Sequence, residues 1–117
     1  PKGTEDEKKA RAEAIQAATK YAIEVPLKAA TICLESMEVM LQMTKIGNPN
    51  SITDAAVGAM CARTGVLGAA MNVKINTGDL ADKAYVAQVI EKVENMESKA
   101  EQFESEVRIL VQKHLSA

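Results

Sequence analysis

One stretch of the chain, residues 51–76, constrains the fold more than any other. Its small and polar residues recur three or four positions apart, which places them on one side of a single helix. These positions are Asp54, Gly58, Ala62, Gly65, Ala69, Asn72 and Asn76. Glycine inside a helix costs about 0.5–1 kcal/mol relative to alanine, so Gly58, Gly65 and Gly68 need a compensating contact. The pattern therefore predicts the close approach of another helix, or of a ligand, to this side.

Composition is typical of one helical domain over residues 1–117. The 117 residues are 47% hydrophobic but include only two Tyr, one Phe and no Trp. Ala, Leu, Val, Ile and Met must therefore form the core, which suits helices better than a sheet. Cys33 and Cys61 fall on separate predicted helices, and we expect both to be buried thiols rather than a disulfide.

Charge and hydropathy exclude several function classes. The formal net charge of -2 gives no basic surface for nucleic acid. No apolar run approaches the ~20 residues of a membrane span, and no signal peptide is visible. No histidine or cysteine pair has metal-ligand spacing, so no metal site is predicted. The expected location is the cytoplasm.

The hydrophobic spacing predicts four main helices in an all-α bundle with antiparallel neighbours. The first covers about residues 5–24 and opens with the capping box Thr4-Glu-Asp-Glu7. Pro26 cannot donate to a helix ladder, so we expect a break or kink at Val25-Pro26 and a second helix from there to about residue 46, where Gly47 is a natural stop. Ser51 is expected to cap the third helix, over residues 51–76.

The fourth helix is expected over about residues 82–114. Its narrow apolar stripe has charged flanks, as in the seam of a coiled coil. The pattern predicts that this helix packs against a partner helix or a second subunit.

Two interpretations compete for the polar ends of the third helix. Asp54 either compensates the helix dipole, worth about 0.3–1 kcal/mol, or is a carboxylate at the mouth of a cleft that transfers protons. Asn72 and Asn76 lie one turn apart on the small-residue side, where asparagine is a poor helix former. A buried amide without partners costs about 1–3 kcal/mol, so each must bond to protein, water or ligand.

Five blocks of sequence resemble the formiminotetrahydrofolate cyclodeaminase / methenyltetrahydrofolate cyclohydrolase family. They are PKGTEDEK (1–8), AIEVPL (22–27), GNPNSITD (47–54), TGVLGAAMNVKIN (64–76) and DLAD (79–82), in the family's order. Family domains are longer, on the order of 200 residues, and begin with a glycine-rich segment that has no counterpart here. The resemblance thus implies the C-terminal part of an incomplete larger helical domain, with one wall of the active site missing.

The resemblance further implies a fully helical, homodimeric or larger enzyme that converts a tetrahydrofolate derivative without any cofactor, nucleic acid or membrane. In the deaminating reaction, N10 attacks the formimino carbon on N5, and ring closure releases ammonia. We hypothesise that Asp54 handles protons, since it is the only carboxylate on the polar-ended side of the helix. The proposed substrate-binding residues are Asn48, Ser51, Asn72 and Asn76, with Lys74 for the glutamate tail.

Two alternatives stay open at this point. One is a methenyltetrahydrofolate cyclohydrolase, in which water enters instead of ammonia leaving. The other is a non-catalytic helical assembly module, in which Asn72 and Asn76 bond only to protein groups and no cleft adjoins Asp54.

Overall fold

The computed structural model describes residues 3–117 as an all-α fold of three long helices rather than the four predicted. They are α1 (Glu5–Ile46), α2 (Ile52–Thr77) and α3 (Lys83–Leu115), with a 3-10 turn at Pro49–Ser51 before α2. The 42 residues of α1 extend about 63 Å at the usual helical rise, so the particle is long and thin, at 73 × 20 × 16 Å. Pro1 and Lys2, in the first block that carries the resemblance, lie outside the described residues.

The expected break at Val25-Pro26 is wrong, because α1 continues through Pro26. A proline in a helix interior costs about 3 kcal/mol, since it cannot donate to the carbonyl of Ala22 and its ring crowds that carbonyl. Ile23 and Ala30, one turn to either side, are fully buried in clusters that α1 shares with α2 and α3. Packing on both sides of the proline thus keeps the two predicted segments in one continuous helix.

The predicted capping at the start of α1 is confirmed. Thr4 Oγ1 accepts a hydrogen bond from the Glu7 amide at 3.1 Å, and the Glu7 carboxylate accepts one from the Gly3 amide at 3.2 Å. Asp82 caps α3 in the same way, accepting from the Tyr85 amide at 3.1 Å. The first helix therefore begins where its predicted cap placed it, and α3 begins close to the predicted start near residue 82.

The side chain of Gln16 ties the loop between α2 and α3 to α1. The amide of Gln16 donates to the carbonyl of Asp79 at 3.0 Å and accepts from the Ala81 amide at 2.9 Å. Leu80, between these two residues, is buried in the core. The loop therefore fixes the end of α2 against the first half of α1.

The apolar stripe of α3 finds its partner within the chain. Its residues pack against α1 and α2 in three clusters along the bundle. The buried residues of this stripe are Val89, Val93, Met96, Ala100, Val107 and Val111.

Both cysteines are free, as expected. Cys33 is partly buried, whereas Cys61 is exposed, so the expected burial of Cys61 is wrong.

By length and composition alone, Pro49–Thr77 could cross a membrane. This differs from the expectation that no apolar run has that length. Ala, Gly, Val and Met make the segment apolar, yet Arg63 and Lys74 within it form ion pairs with Glu104 and Glu97 of α3. An apolar helix that packs between two others has the same composition.

Candidate functional site

The small-residue side of α2 packs directly against α1. A Cβ atom at Gly58 would lie 3.1 Å from Met40 Sδ, and one at Gly65 would lie 2.7 Å from Cys33 Sγ. Ala62, on the same side of α2, is partly buried and packs against the same core cluster as Cys33. The close approach of a helix, not a ligand, therefore compensates for these two glycines, and α1 fills the middle of the predicted site.

The polar residues at the two ends of this side stay accessible. Asp54 is exposed in the first turn of α2, where a carboxylate interacts favourably with the helix dipole. Asn72 is exposed near the other end, and Asn76 is half-buried. Asn76 Nδ2 donates to the carbonyl of Asn72 at 2.9 Å and to Asn72 Oδ1 at 3.0 Å. The Asn76 amide group is thus bonded to its own helix.

The predicted site residues form two separate groups. Asp54 and Asn72 are about 27 Å apart along the axis of α2, and Asp54 and Asn76 about 33 Å, from the rise of 1.5 Å per residue. Proton transfer needs contacts of about 2.6–3.2 Å. Asp54 therefore cannot act on an atom that these two amides of the same chain hold, although all three lie on one side of the helix.

The first group comprises Asn48, Ser51 and Asp54 at the start of α2. Asn48 Oδ1 accepts from the Asn50 amide at 3.0 Å, and the Asn48 carbonyl accepts from the Ser51 amide at 2.9 Å. Ser51 holds the N-cap position, but its side chain makes no capping hydrogen bond, so that part of the prediction is wrong. Its ψ of 12° belongs to the 3-10 turn, whereas a capping side chain needs extended backbone.

The second group comprises Asn72, Lys74 and Asn76 at the end of α2, and Lys74 is engaged by α3. Lys74 Nζ lies 2.7 Å from Glu97 Oε1, a buried oxygen with no aligned hydrogen bond among residues 3–117, so the contact is an ion pair. This contact with Glu97 raises the pKa of Lys74, partial burial opposes the shift, and the charge of Glu94 adds to it. A folate tail that reached this ammonium group would share it with Glu97 or displace Glu97.

A groove of about 530 Å³ lies between α2 and α3 and away from both groups. Its lining includes Arg63, Glu104 and Arg108. Glu104 Oε2 lies 3.3 Å from Arg63 Nε, and its other oxygen lies 3.7 Å from Arg108 Nη1. The spacing of Glu104 and Arg108 by four residues is visible in the sequence, but only the fold brings Arg63 to them. The groove therefore contains an ion-pair network that joins α2 to α3.

Known proteins match most of this chain. A model of the family described as Formiminotransferase-cyclodeaminase matches residues 1–95, a range that includes all six predicted site residues. The chain is 37% identical over 100 residues to methenyltetrahydrofolate cyclohydrolase from Methylorubrum extorquens, a match that covers 86% of this chain and 48% of that protein.

Longer relatives match as well. The chain is 34% identical over 96 residues to formimidoyltransferase-cyclodeaminase from Sus scrofa, covering 82% of this chain and 18% of that protein. It is 38% identical over 73 residues to the protein of that name from Dictyostelium discoideum, covering 62% and 14%. The chain thus spans 48% of the bacterial relative and much less of the other two.

Proposed function

This chain belongs to the formiminotransferase-cyclodeaminase family, and from that premise we propose that it takes part in folate one-carbon metabolism. The proposed substrate is 5-formiminotetrahydrofolate, and the proposed products are 5,10-methenyltetrahydrofolate and ammonia. The observation that carries the proposal is the family match over residues 1–95, within which both polar groups of α2 lie.

The reaction is a ring closure followed by loss of ammonia. N10 attacks the formimino carbon on N5, a carbon–N10 bond forms, and N10 loses its proton. The imino nitrogen gains two protons and leaves as ammonia. One of these two protons balances the proton that N10 loses. The protein must therefore hold N10 against the carbon and carry protons between two nitrogens. Neither step changes an oxidation state, so the proposal includes no redox cofactor.

We assign the proton transfer to Asp54 in the first group. Its carboxylate is exposed, and the Ser51 hydroxyl three residues earlier is not used for capping. Asn48 shapes the turn that precedes both residues. A carboxylate beside a free hydroxyl and the start of a helix suits the binding of a substrate whose nitrogen exchanges protons.

The second group is the alternative reaction centre. With the Asn76 amide group bonded to Asn72, the Nδ2 donor of Asn72 and the Oδ1 acceptor of Asn76 retain capacity for a ligand. One donor beside one acceptor is complementary to the amide-like edge of a pterin ring. In this case the proton carrier comes from outside the second group, and a homodimer or larger homo-oligomer is one source of it.

An assay of both reactions tests the proposal. The chain is incubated with 5-formiminotetrahydrofolate, and the absorbance of the methenyl product and the release of ammonia are followed together. Replacing Asp54→Asn should lower the rate by about 10²-fold or more, the usual contribution of a general acid or base. Replacing Asn72→Ala is the matched comparison, since it should weaken substrate binding with a smaller effect on turnover. Equal rates for D54N and the parent protein would remove Asp54 from the mechanism.

Cyclohydrolysis is the second candidate, because the bacterial relative with 37% identity is a methenyltetrahydrofolate cyclohydrolase. Water would add to the methenyl carbon, the carbon–N5 bond would break, and a 10-formyl group and a proton would result. Loss of methenyl absorbance without ammonia distinguishes this reaction from the first.

Two observations favour the non-catalytic module instead. The middle of the small-residue side is filled by α1, and the Asn76 amide group bonds only to its own helix within residues 3–117. If neither folate binds to the chain or to its complex with a partner, the module is the better interpretation.

The proposal also includes location in the cytoplasm, where folate substrates occur.

A further inference from the structure

One face of the molecule, which we call the outer face, is apolar and uncovered. It is formed by α1 and α2 on the side away from α3. On α2, Arg63 and Lys74 pair with α3 and Gly58 and Gly65 contact α1, so the outer face is the remaining side of that helix. Its large exposed apolar side chains are Val25, Ile32, Val39, Met43 and Ile46 of α1 and Val57, Met71 and Ile75 of α2.

The α1 part of the outer face has the spacing of a helix interface. Its residues alternate steps of four and three from Ala18 to Ile46, the 3.5-residue period of helices that pack along their length. They are Ala18, Ala22, Val25, Ala29, Ile32, Ser36, Val39, Met43 and Ile46, all exposed except the partly buried Ser36. At 1.5 Å per residue the stripe is about 42 Å long. A second helix of similar length fits it.

Charged side chains are absent from this stripe, although α1 carries many of them elsewhere. On α2, the charged residues are Asp54, at one end, and Arg63 and Lys74, which both pair with α3. The outward side of α3, by contrast, is exposed and charged, with Glu91, Lys92 and Glu94 in one turn alone. A charge-free apolar band of this length marks an interface with another protein surface.

Gly68 provides an independent observation on the same side of α2. A Cβ atom there would meet nothing within 4 Å, so no contact within residues 3–117 compensates for glycine at this position. Gly58 and Gly65 show that α2 uses glycine where a neighbouring helix comes close. Gly68 thus indicates a neighbour that approaches the outer face equally closely.

We propose that the outer face is a buried interface, and that its occupant is an apolar helical segment equivalent to the part of its relatives that this chain does not match. The chain matches 48% of the Methylorubrum extorquens relative, so that protein contains a comparable length of polypeptide that this chain does not match. Here α3 covers one side of the α1–α2 pair, and the outer face is the side left for it. The occupant presents uncharged residues, with small ones opposite Ile32 and Val39 and larger ones opposite Ala29 and Gly68.

A binding experiment with a defined polypeptide tests this proposal. The probe is the part of the Methylorubrum extorquens protein that this chain does not match, produced separately and mixed with the 117-residue chain. Light scattering after size exclusion should show a one-to-one complex. Cys61 is exposed and lies between Val57 and Gly68 on α2, so it reports on the outer face. Its modification by a maleimide should slow by at least about tenfold in the complex.

Two isoleucines provide a matched pair of variants. Ile32 on the outer face and Ile109 on α3 are each 55% exposed, so glutamate at either position should leave the isolated chain folded, as checked by circular dichroism. Ile32→Glu should abolish the complex and the protection of Cys61, whereas Ile109→Glu should change neither.

Joining the same two polypeptides in one chain tests the proposal even where the separate polypeptides bind each other weakly. The probe is joined to the chain by a flexible Gly/Ser linker, which raises its effective concentration. Cys61 that stays fully reactive in the linked protein would overturn the proposal, as would a complex that survives Ile32→Glu. A stable homodimer of the chain alone, with Cys61 protected, would assign the face to a second copy instead. No folate is present in these measurements, so their outcome is independent of the proposed reaction.

Discussion

Gly65 and Gly68 lie three residues apart on α2 and have opposite surroundings. A Cβ atom at Gly65 would lie 2.7 Å from Cys33 Sγ, whereas one at Gly68 would meet nothing within 4 Å. Both residues carry the same conformational cost in a helix. The contact that offsets this cost lies within the chain at Gly65, whereas at Gly68 residues 3–117 provide none and our proposal assigns it to a partner on the outer face.

The same contrast holds for the two sides of α2. The side against α1 is built from small residues that let the two helices approach closely. The outer face combines small residues with Met71 and Ile75, which are 69% and 79% exposed. Of these two sides of α2, the first is therefore a complete helix interface, and the second is, by our proposal, half of one.

The largest effect is expected from Gly65→Val. A branched side chain at the α1 contact must displace Cys33 or separate the helices, and overpacking of this kind costs about 1–3 kcal/mol of unfolding free energy. Gly68→Val on the outer face is the matched control and should change the isolated chain little. Urea unfolding at constant m-value measures both. Equal losses at the two positions would show that the contrast between the sides is wrong.

A double-mutant cycle sharpens this prediction by identifying the contact. Gly65→Ala should destabilise the protein when Cys33 is present and should be neutral or stabilising with Cys33→Ala, because Cys33, the only side chain of residues 3–117 within 4 Å of the new Cβ atom, is then shortened. Coupling of about 0.5–3 kcal/mol is usual for residues in contact. No coupling would mean that Cys33 moves aside without cost.

A smaller effect of opposite sign is expected at the outer face. Gly68→Ala should raise the unfolding free energy of the isolated chain by about 0.5–1 kcal/mol, since alanine forms helix better and meets no obstacle. The same change should weaken binding of the polypeptide proposed for the outer face. A substitution that stabilises the chain but leaves that complex unaffected would contradict the close approach at Gly68.

The smallest effect concerns the ion pair between Lys74 and Glu97, on the third side of α2. Because the contact with Glu97 raises the pKa of Lys74 above 10.5, its stabilisation is complete below that value and is lost as the pH rises through the folded-state pKa. The urea midpoint should thus fall as the pH rises above about 10.5, and less steeply in Lys74→Met. The side chains are 38% and 28% exposed, so solvent screening keeps the effect small. Parallel pH profiles would show that the pair contributes nothing.

Local sequence signals predicted the helix ends well. The Thr4 cap, the stop at Gly47 and the start at Asp82 depend on contacts within four residues, and all three occur in the structure. Pro26 was interpreted wrongly because its local cost is outweighed by the burial of Ile23 and Ala30, which involves residues far along the chain.

For the candidate site, the structure shows where the predicted residues lie but does not test what they do. Helical spacing correctly placed Asp54 and Asn72 on one side of α2, but spacing carries no information on whether residues on one side share one site. Their separation of about 27 Å follows from helix length alone and divides the site into two groups. The roles of these residues stay predictions that the enzyme assays decide.

By itself, the sequence determined the all-α class, the family and the helix ends other than those expected at Pro26, because capping, hydrophobic period and short motifs are properties of neighbouring residues. Only the tertiary structure decided that α1 runs unbroken through Pro26, that Gly65 is paired with Cys33, and that Lys74 is held by Glu97. The physical reason is that packing energies arise between residues distant in the chain, and these energies choose among the local structures that the sequence permits.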